Sequence, residues 1–383
     1  MRVLQLHSAY RTPAGEDSVV QSEATMLRER GHDVTQLLAK SPPQALPAIG
    51  LLAQSPWNIS SVRAVERAVR DSQPDVAHVH NTWFALSPAV FSPLRRAGVP
   101  VVMTLHNYRL GCIGRDLFRD GAPCTDCLGH SPAAGVRHRC YRASYLTSAV
   151  AATELSVHRR LGTWRRGVDR FIAPTAFAAD LLVRAGVDRS DLTVKPHFTF
   201  DPGPRSRPCS ASDEVLFVGR LAQGKGVEQL LEAWRALGSS RLRLVLVGDG
   251  PLRDTVERLA PEGVEIVGWQ HRDDVRARML SSRALAFPST WYEPFGMVLI
   301  EALAAGLPVI GYDVASVRSI VEPSRPWLLP QSTDVSGLAA AAGALEDDAL
   351  VDELSVRSRA RFETAFTPER NGPLLEAVYR SVQ

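Results

Sequence analysis

Residues 291–306, Trp-Tyr-Glu-Pro-Phe-Gly-Met-Val-Leu-Ile-Glu-Ala-Leu-Ala-Ala-Gly, stand between two short β-like runs at 283–289 and 307–312. A proline near the start, and a glycine followed by Pro308 at the end, are what a helix over about 295–305 would carry. Strand, helix and strand joined this closely make a parallel crossover, and parallel strands need helices on both faces. That restricts the chain to an α/β fold. The helix N-terminus would lie at the carboxyl edge of the sheet, where open α/β sheets bind ligands and free N–H groups favour phosphate.

Two carboxylates bracket that end, Glu293 just outside the helix and Glu301 inside it, eight residues apart. An anion beside a phosphate repels it, so Glu293 suits sugar hydroxyls better than phosphate oxygens. Glu301 can take a cis-diol, such as a ribose 2′,3′ pair, with both of its oxygens. Spacing alone leaves a second account open: Glu293 complements the helix dipole and Glu301 is an ordinary solvated residue.

The same strand–turn–helix pattern runs through the whole chain. Apolar runs at 3–6, 34–38, 76–79, 99–105, 170–173 and 192–195 predict one parallel sheet. A loop over 7–17, containing Gly15, precedes a helix at 19–30, and loops in that position often bind phosphate. His80 and His106 fall at the ends of their strands, on the same predicted edge as Gly15. Residues 201–213, dense in Pro, Ser and Arg, mark a boundary. A second α/β pattern opens beyond it, with strands at 215–218, 242–247 and 264–267, and a loop holding Gly219-Arg220 and Lys225-Gly226. Two cations on flexible backbone can neutralise a pyrophosphate and a leaving nucleoside diphosphate. Toward the end the pattern predicts a short strand near 328, helices from about 336 and 352, and a last helix from 368.

A chain of 383 residues exceeds a single core. The expected division is an N-terminal domain over 1–200, with an insertion at 107–143 and the last helix 368–383, and a C-terminal domain over 201–367. Net charge of +3 gives no case for nucleic acid, and no apolar run is long enough to span a bilayer. The N-terminus reads as a strand rather than a signal peptide, so a cytoplasmic protein is expected. Arginines at 137, 139, 142, 159, 160, 165, 166 and 170 make part of the first half basic, a surface for an anionic acceptor or for peripheral contact with the inner membrane face, or simply a solvated face.

The insertion holds Cys112, Cys124, Cys127 and Cys140 among prolines and glycines. A loop without its own core needs a staple. In a reducing cytoplasm four thiolates suit tetrahedral zinc better than disulfides, with four buried free thiols as the alternative.

Glu293-Pro294-Phe295-Gly296 with Glu301, together with Gly219-Arg220 and Lys225-Gly226, resembles the signature of the retaining, nucleotide-sugar-dependent family 4 (group 1) glycosyltransferases. The resemblance extends over the whole chain. It implies the GT-B fold, two Rossmann-like domains facing a cleft, with the C-terminal domain binding the donor. Arg220 and Lys225 would then hold the diphosphate of a UDP- or GDP-sugar, helped by amides at Phe295, Gly296 and Met297. Glu301 would hold the ribose, and Glu293 and His106 the donor sugar. Gly15 stands where the family approaches the donor with a Gly-Gly pair, of which this chain keeps one member after Ala14. His80 is expected on the acceptor side. The family transfers to glycan or lipid-linked acceptors, as in polysaccharide or glycolipid synthesis, and needs no metal for catalysis. A UDP-sugar 2-epimerase and a non-catalytic nucleotide-sugar-binding protein are the rival classes.

Overall fold

The computed structural model describes residues 1–9, 15–40, 57–83 and 85–383. The chain folds as two compact units. The first comprises Met1–Leu117, Cys124–His197 and Glu369–Gln383, and the second Phe118–Pro123 and Phe198–Pro368.

The first unit is built on a six-stranded sheet ordered β2-β1-β3-β4-β7-β8. The strands are β1 (Arg2–Ala9), β2 (Asp33–Lys40), β3 (Val76–Asn81), β4 (Val101–Thr104), β7 (Arg170–Ala173) and β8 (Leu192–Val194). All their pairings are parallel. Chain order reverses between β1 and β3, which makes their carboxyl ends the crevice of this sheet. β3 is buried along its whole length, as a strand covered on both faces must be. The helix after β1 spans Gly15–Glu29, so Gly15 is its first residue rather than part of the preceding loop, and Ala14 lies outside the described residues.

The insertion contains a two-stranded hairpin, β5 (Phe118–Arg119) and β6 (Ala122–Pro123), and a short helix, Ala133–Arg137. It also carries apolar anchors that its composition hides. Ile113 is fully buried against Ala151, Ala152 and Leu155 of the helix Tyr145–Arg160. Arg159 of that helix donates to the carbonyls of Leu110, at 2.6 and 3.2 Å, and His130, at 2.9 Å. The terminal helix Pro368–Arg380 brings Tyr379, fully buried, to β3, where its hydroxyl meets His78 Nδ1 at 2.8 Å.

The second unit holds a parallel five-stranded sheet ordered β11-β10-β9-β12-β13. Its strands are β9 (Glu214–Val218), β10 (Arg243–Val247), β11 (Val264–Gly268), β12 (Ala284–Phe287) and β13 (Val309–Gly311). Leu216, Leu244, Leu285 and Ile310 form the centre of its core. Here order reverses between β9 and β12, and the segments leaving those two strands carry the Gly-Arg…Lys-Gly loop and residues 288–296. The strand expected near 328 is a short 3-10 turn instead, Pro326–Leu328. Proline at its first position supplies no ladder N–H.

Candidate functional site

The second unit brings its motif residues together at the reversal point. Thr290 N donates to Gly224 O at 2.9 Å, which ties the segment after β12 to the loop after β9. Gly226 (φ +70°) is required there, because a Cβ on it would lie 1.7 Å from the Pro288 carbonyl oxygen. This approach sets Lys225 against Glu293: Nζ donates to the two carboxylate oxygens at 2.8 and 3.0 Å. Lys225 also stands 4.9 Å from the Trp291 ring centroid, and Ser289 Oγ is 3.5 Å from Glu293 Oε2. Arg220, directly after Gly219, is exposed. Of the insertion, the Phe118 ring belongs here, lying against Gly224.

The helix beside this loop begins later than its sequence suggests, at Met297, and runs to Ala304. Gly296 caps it at φ +87°, a left-handed conformation that cannot continue a right-handed helix. Pro294 and Phe295 therefore precede the helix. The Phe295 side chain belongs to the core, edge-on to Phe366. Leu299 N bonds Gly296 O at 3.0 Å, so the first helical amides are those of Met297 and Val298. Glu301 meets Arg272 Nη2 at 3.3 Å, and burial raises its carboxyl above the ordinary range against the opposing pull of that arginine.

In the first unit the carboxyl ends of β1, β3 and β4 gather a second set. Glu16, in the first turn of Gly15–Glu29, accepts from Asn107 Nδ2 at 2.8 Å and from Asn81 Nδ2 at 3.3 Å. His7 Nε2 meets Asp17 Oδ1 at 2.9 Å. His106, half-buried past the end of β4, stacks between His80 and His197, with ring centroids 5.3 and 5.0 Å away. His80 lies within β3 rather than at its end, is 3% exposed, and meets His106 Nε2 through Nδ1 at 3.0 Å. Its other nitrogen is buried too, so His80 offers an acceptor no ring nitrogen directly. Burial lowers the pKa of both His78 and His106 to about 3 and pushes His80 and His197 well below 6.5, so all four are neutral at pH 7.

Beneath them Glu23 is fully buried and accepts from Lys195 Nζ at 3.1 Å. Among the described residues, Glu23, His78 and His80 are the one group of three or more metal-ligand side chains within reach of a common ion. The ammonium of Lys195 already compensates the carboxylate, and His78 engages the hydroxyls of Tyr379 and Thr104, each at 2.8 Å. The cluster reads as a charge-compensated polar network rather than an ion site, with Glu23 Oε2 and His80 Nε2 facing each other at 3.6 Å. The four cysteines, all free thiols, do not form such a group. Backbone amides nevertheless converge on two of them, those of Leu117, Gly114 and Arg115 on Cys112 and that of Gly135 on Cys127, while burial holds both thiols protonated.

Sequence reasoning passed over Glu16, Glu23, Lys195, His197, Ser289, Trp291 and Arg272. Glu16 carried a readable signal, an acidic residue in the first turn after β1. Glu23 and Lys195 are 172 residues apart, and no spacing rule pairs them.

Fold and site define a two-domain α/β protein with a cationic loop and a paired acid at the switch point of its second sheet. The family model for group 1 glycosyl transferases matches residues 212–348, and that for Glycosyltransferase Family 4 matches residues 15–199. The chain belongs to the group 1 glycosyltransferases of the GT-B fold, enzymes that transfer sugar from a nucleotide-sugar donor. It is 28% identical to a GDP-mannose-dependent alpha-mannosyltransferase of Mycobacterium tuberculosis over 83% of this chain and 72% of that protein. It is 35% identical to an uncharacterized glycosyltransferase of Methanocaldococcus jannaschii, over 31% of this chain and 33% of that protein. Among solved structures, Anabaena HepE in complex with UDP and glucose superposes with a TM-score of 0.67, at 17% identity and covering 99% of both chains.

Proposed function

We propose that this chain moves a sugar from a nucleoside diphosphate sugar to an acceptor hydroxyl, with retention at the anomeric carbon and no metal in the chemical step. The observation that carries the reading is the convergence of Lys225 and Glu293 at the reversal between β9 and β12. Lys225 and Arg220 neutralise the diphosphate as the glycosidic bond breaks, and the amides of Met297 and Val298 add to that anion site. Group 1 enzymes typically work without a metal, and two cations beside the leaving group supply the charge a metal would. Glu293, held by Lys225, accepts from hydroxyls of the transferred sugar, and Glu301 takes the ribose diol. His106 is the sugar-facing group assigned to the first unit. No residue in this set is a convincing covalent nucleophile, so front-face attack assisted by the leaving phosphate is the favoured route.

UDP and GDP are both open as the nucleotide. A glycan or lipid-linked acceptor fits the basic face of the first unit, where Tyr145 and Leu146 are 58% and 71% exposed beside Arg139 and Arg142. Sedimentation with anionic vesicles tests membrane contact there. No helix among the described residues is long and apolar enough to cross a membrane.

Incubation with sugar-labelled UDP- and GDP-sugars tests the class. Transfer or hydrolysis of the label supports the proposal. An isomerised sugar would make the protein an epimerase, and tight binding without turnover a binding protein.

A further inference from the structure

The histidine stack behind the sugar-facing residue has a definite direction. Neutral imidazole carries one N–H, so in the contact between His80 Nδ1 and His106 Nε2, 3.0 Å long, one ring donates and the other accepts. The contact alone does not say which. The far side of His80 decides it. His80 Nε2 is buried and faces Glu23 Oε2 across 3.6 Å, both side chains being inaccessible to solvent. Lys195 occupies Glu23 Oε1 and not Oε2. A lone pair on His80 Nε2 would confront a carboxylate lone pair in a low-dielectric interior, whereas an N–H there is attracted to it. The proton therefore belongs on His80 Nε2. His80 Nδ1 is then an acceptor only, and His106 must donate to it from Nε2.

The consequence appears on the other nitrogen of His106. With Nε2 protonated, Nδ1 carries the lone pair. The ring lines an open depression in the first unit, together with Asn107, Asn81, Arg109, Trp83 and Trp164. Aromatic faces and amide side chains there suit a sugar ring. His78, on the other side of Glu23, cannot compete for this role, because both of its nitrogens meet hydroxyls at 2.8 Å.

We propose that His80 is a positioning residue: oriented by the buried Glu23–Lys195 pair, it holds His106 in the Nε2–H tautomer, so that His106 Nδ1 accepts a hydrogen bond from a substrate sugar hydroxyl. The inference rests on the reading of His106 as sugar-facing. It deepens that reading by making the ring a neutral acceptor rather than a cation or a donor. The same placement applies to metal-bound histidines, whose tautomer is set by a partner on the far nitrogen.

Ring nitrogen-15 spectra of the unmodified protein at pH 7.5 report the tautomers without any ligand. The expected pattern is a protonated Nε2 and a bare Nδ1 on both His80 and His106. A bare Nε2 on His106 overturns the proposal. Kinetics give a second readout, using whichever of UDP-glucose, UDP-N-acetylglucosamine and GDP-mannose the protein turns over. His80→Phe keeps a ring but no acceptor, and should lower kcat tenfold or more while leaving donor KM unchanged. His80→Asn, whose amide oxygen can replace Nδ1, should recover most of that loss. Equal activity of wild type and His80→Phe would sink the relay. If His106→Ala instead retains full kcat, the reading of His106 itself fails, whatever the tautomers show.

Discussion

Glu293 and Glu301 have different partners, and the difference predicts different kinetics. Glu301 meets Arg272 and is assigned to the ribose, a part of the donor that does not react. Its contact should be nearly as strong in the ground state as in the transition state. Glu301→Gln should therefore raise donor KM about tenfold, roughly 1.4 kcal/mol, with little change in kcat. Glu293 is held against Lys225 and assigned to the transferred sugar, whose ring gains positive charge as the bond breaks. Glu293→Gln should lower kcat by about a hundredfold, the scale of a lost transition-state contact. UDP or GDP, lacking the sugar, should still bind that variant. Steady-state kinetics with varied donor, and nucleotide titration, check both. Loss of nucleotide binding in Glu293→Gln with an unchanged KM in Glu301→Gln would reverse the assignment.

At the scale of elements, the loop proposed to bind the donor depends on one close approach. Gly226→Ala would place a Cβ 1.7 Å from the Pro288 carbonyl oxygen, at a residue already in the left-handed region. The two segments must separate, pulling Lys225 away from Glu293. The expected result is destabilisation of about 1–3 kcal/mol together with weakened UDP and GDP binding, read by thermal unfolding with and without nucleotide. Unchanged nucleotide affinity in a folded Gly226→Ala protein would place the diphosphate elsewhere. The cysteine loop makes a second case. Ile113 anchors it against the helix Tyr145–Arg160, while backbone N–H groups near Cys112 and Cys127 act in the direction that favours their thiolates. The structural zinc expected from the sequence would require the four sulfurs, which do not lie within reach of a common ion here, to draw together, and would appear as about one equivalent per chain, lost in Cys124→Ser. Metal-free protein with freely titrating thiols would leave Ile113 and Arg159 as the loop's fasteners.

Across the whole molecule, the buried histidines make stability depend on pH. His78 and His106 fall from 6.5 to about 3, and His80 and His197 shift the same way, all chiefly by burial. Between those values the unfolded chain binds protons that the folded chain does not. Their contribution is complete above pH 6.5 and is lost as pH falls, each site costing about 1.4 kcal/mol per pH unit once well below 6.5. Unfolding midpoints measured at pH 7.5, 6.5 and 5.5 should drop steeply over the last step. A midpoint that holds at pH 5.5 would mean that these rings charge within the native structure.

The parallel α/β architecture was legible in the chain because its evidence is local. Short apolar runs between glycine turns and amphipathic stretches specify strand and helix wherever they occur, as at 170–173, where the observed strand is Arg170–Ala173. The grouping of the residues proposed for the donor was legible for the same reason: Gly219, Arg220, Lys225 and Gly226 lie on one loop, and Glu293 and Glu301 flank one helix start. Boundaries were less so, since the start at Met297 depends on Gly296 taking φ +87°, a freedom that sequence shows only as a glycine. What tertiary structure alone decided is which distant groups meet. Glu23, His80, His106 and Lys195 read separately as one acid, two strand-end histidines and a lysine. Only the strand order β1-β3-β4-β7-β8 brings His80 of β3, His106 just past β4 and Lys195 just past β8 together with Glu23 of the helix Gly15–Glu29 as a single network. Pairing across such separations is set by topology and by the cost of leaving a buried charge alone, and neither is written in the spacing of residues along the chain.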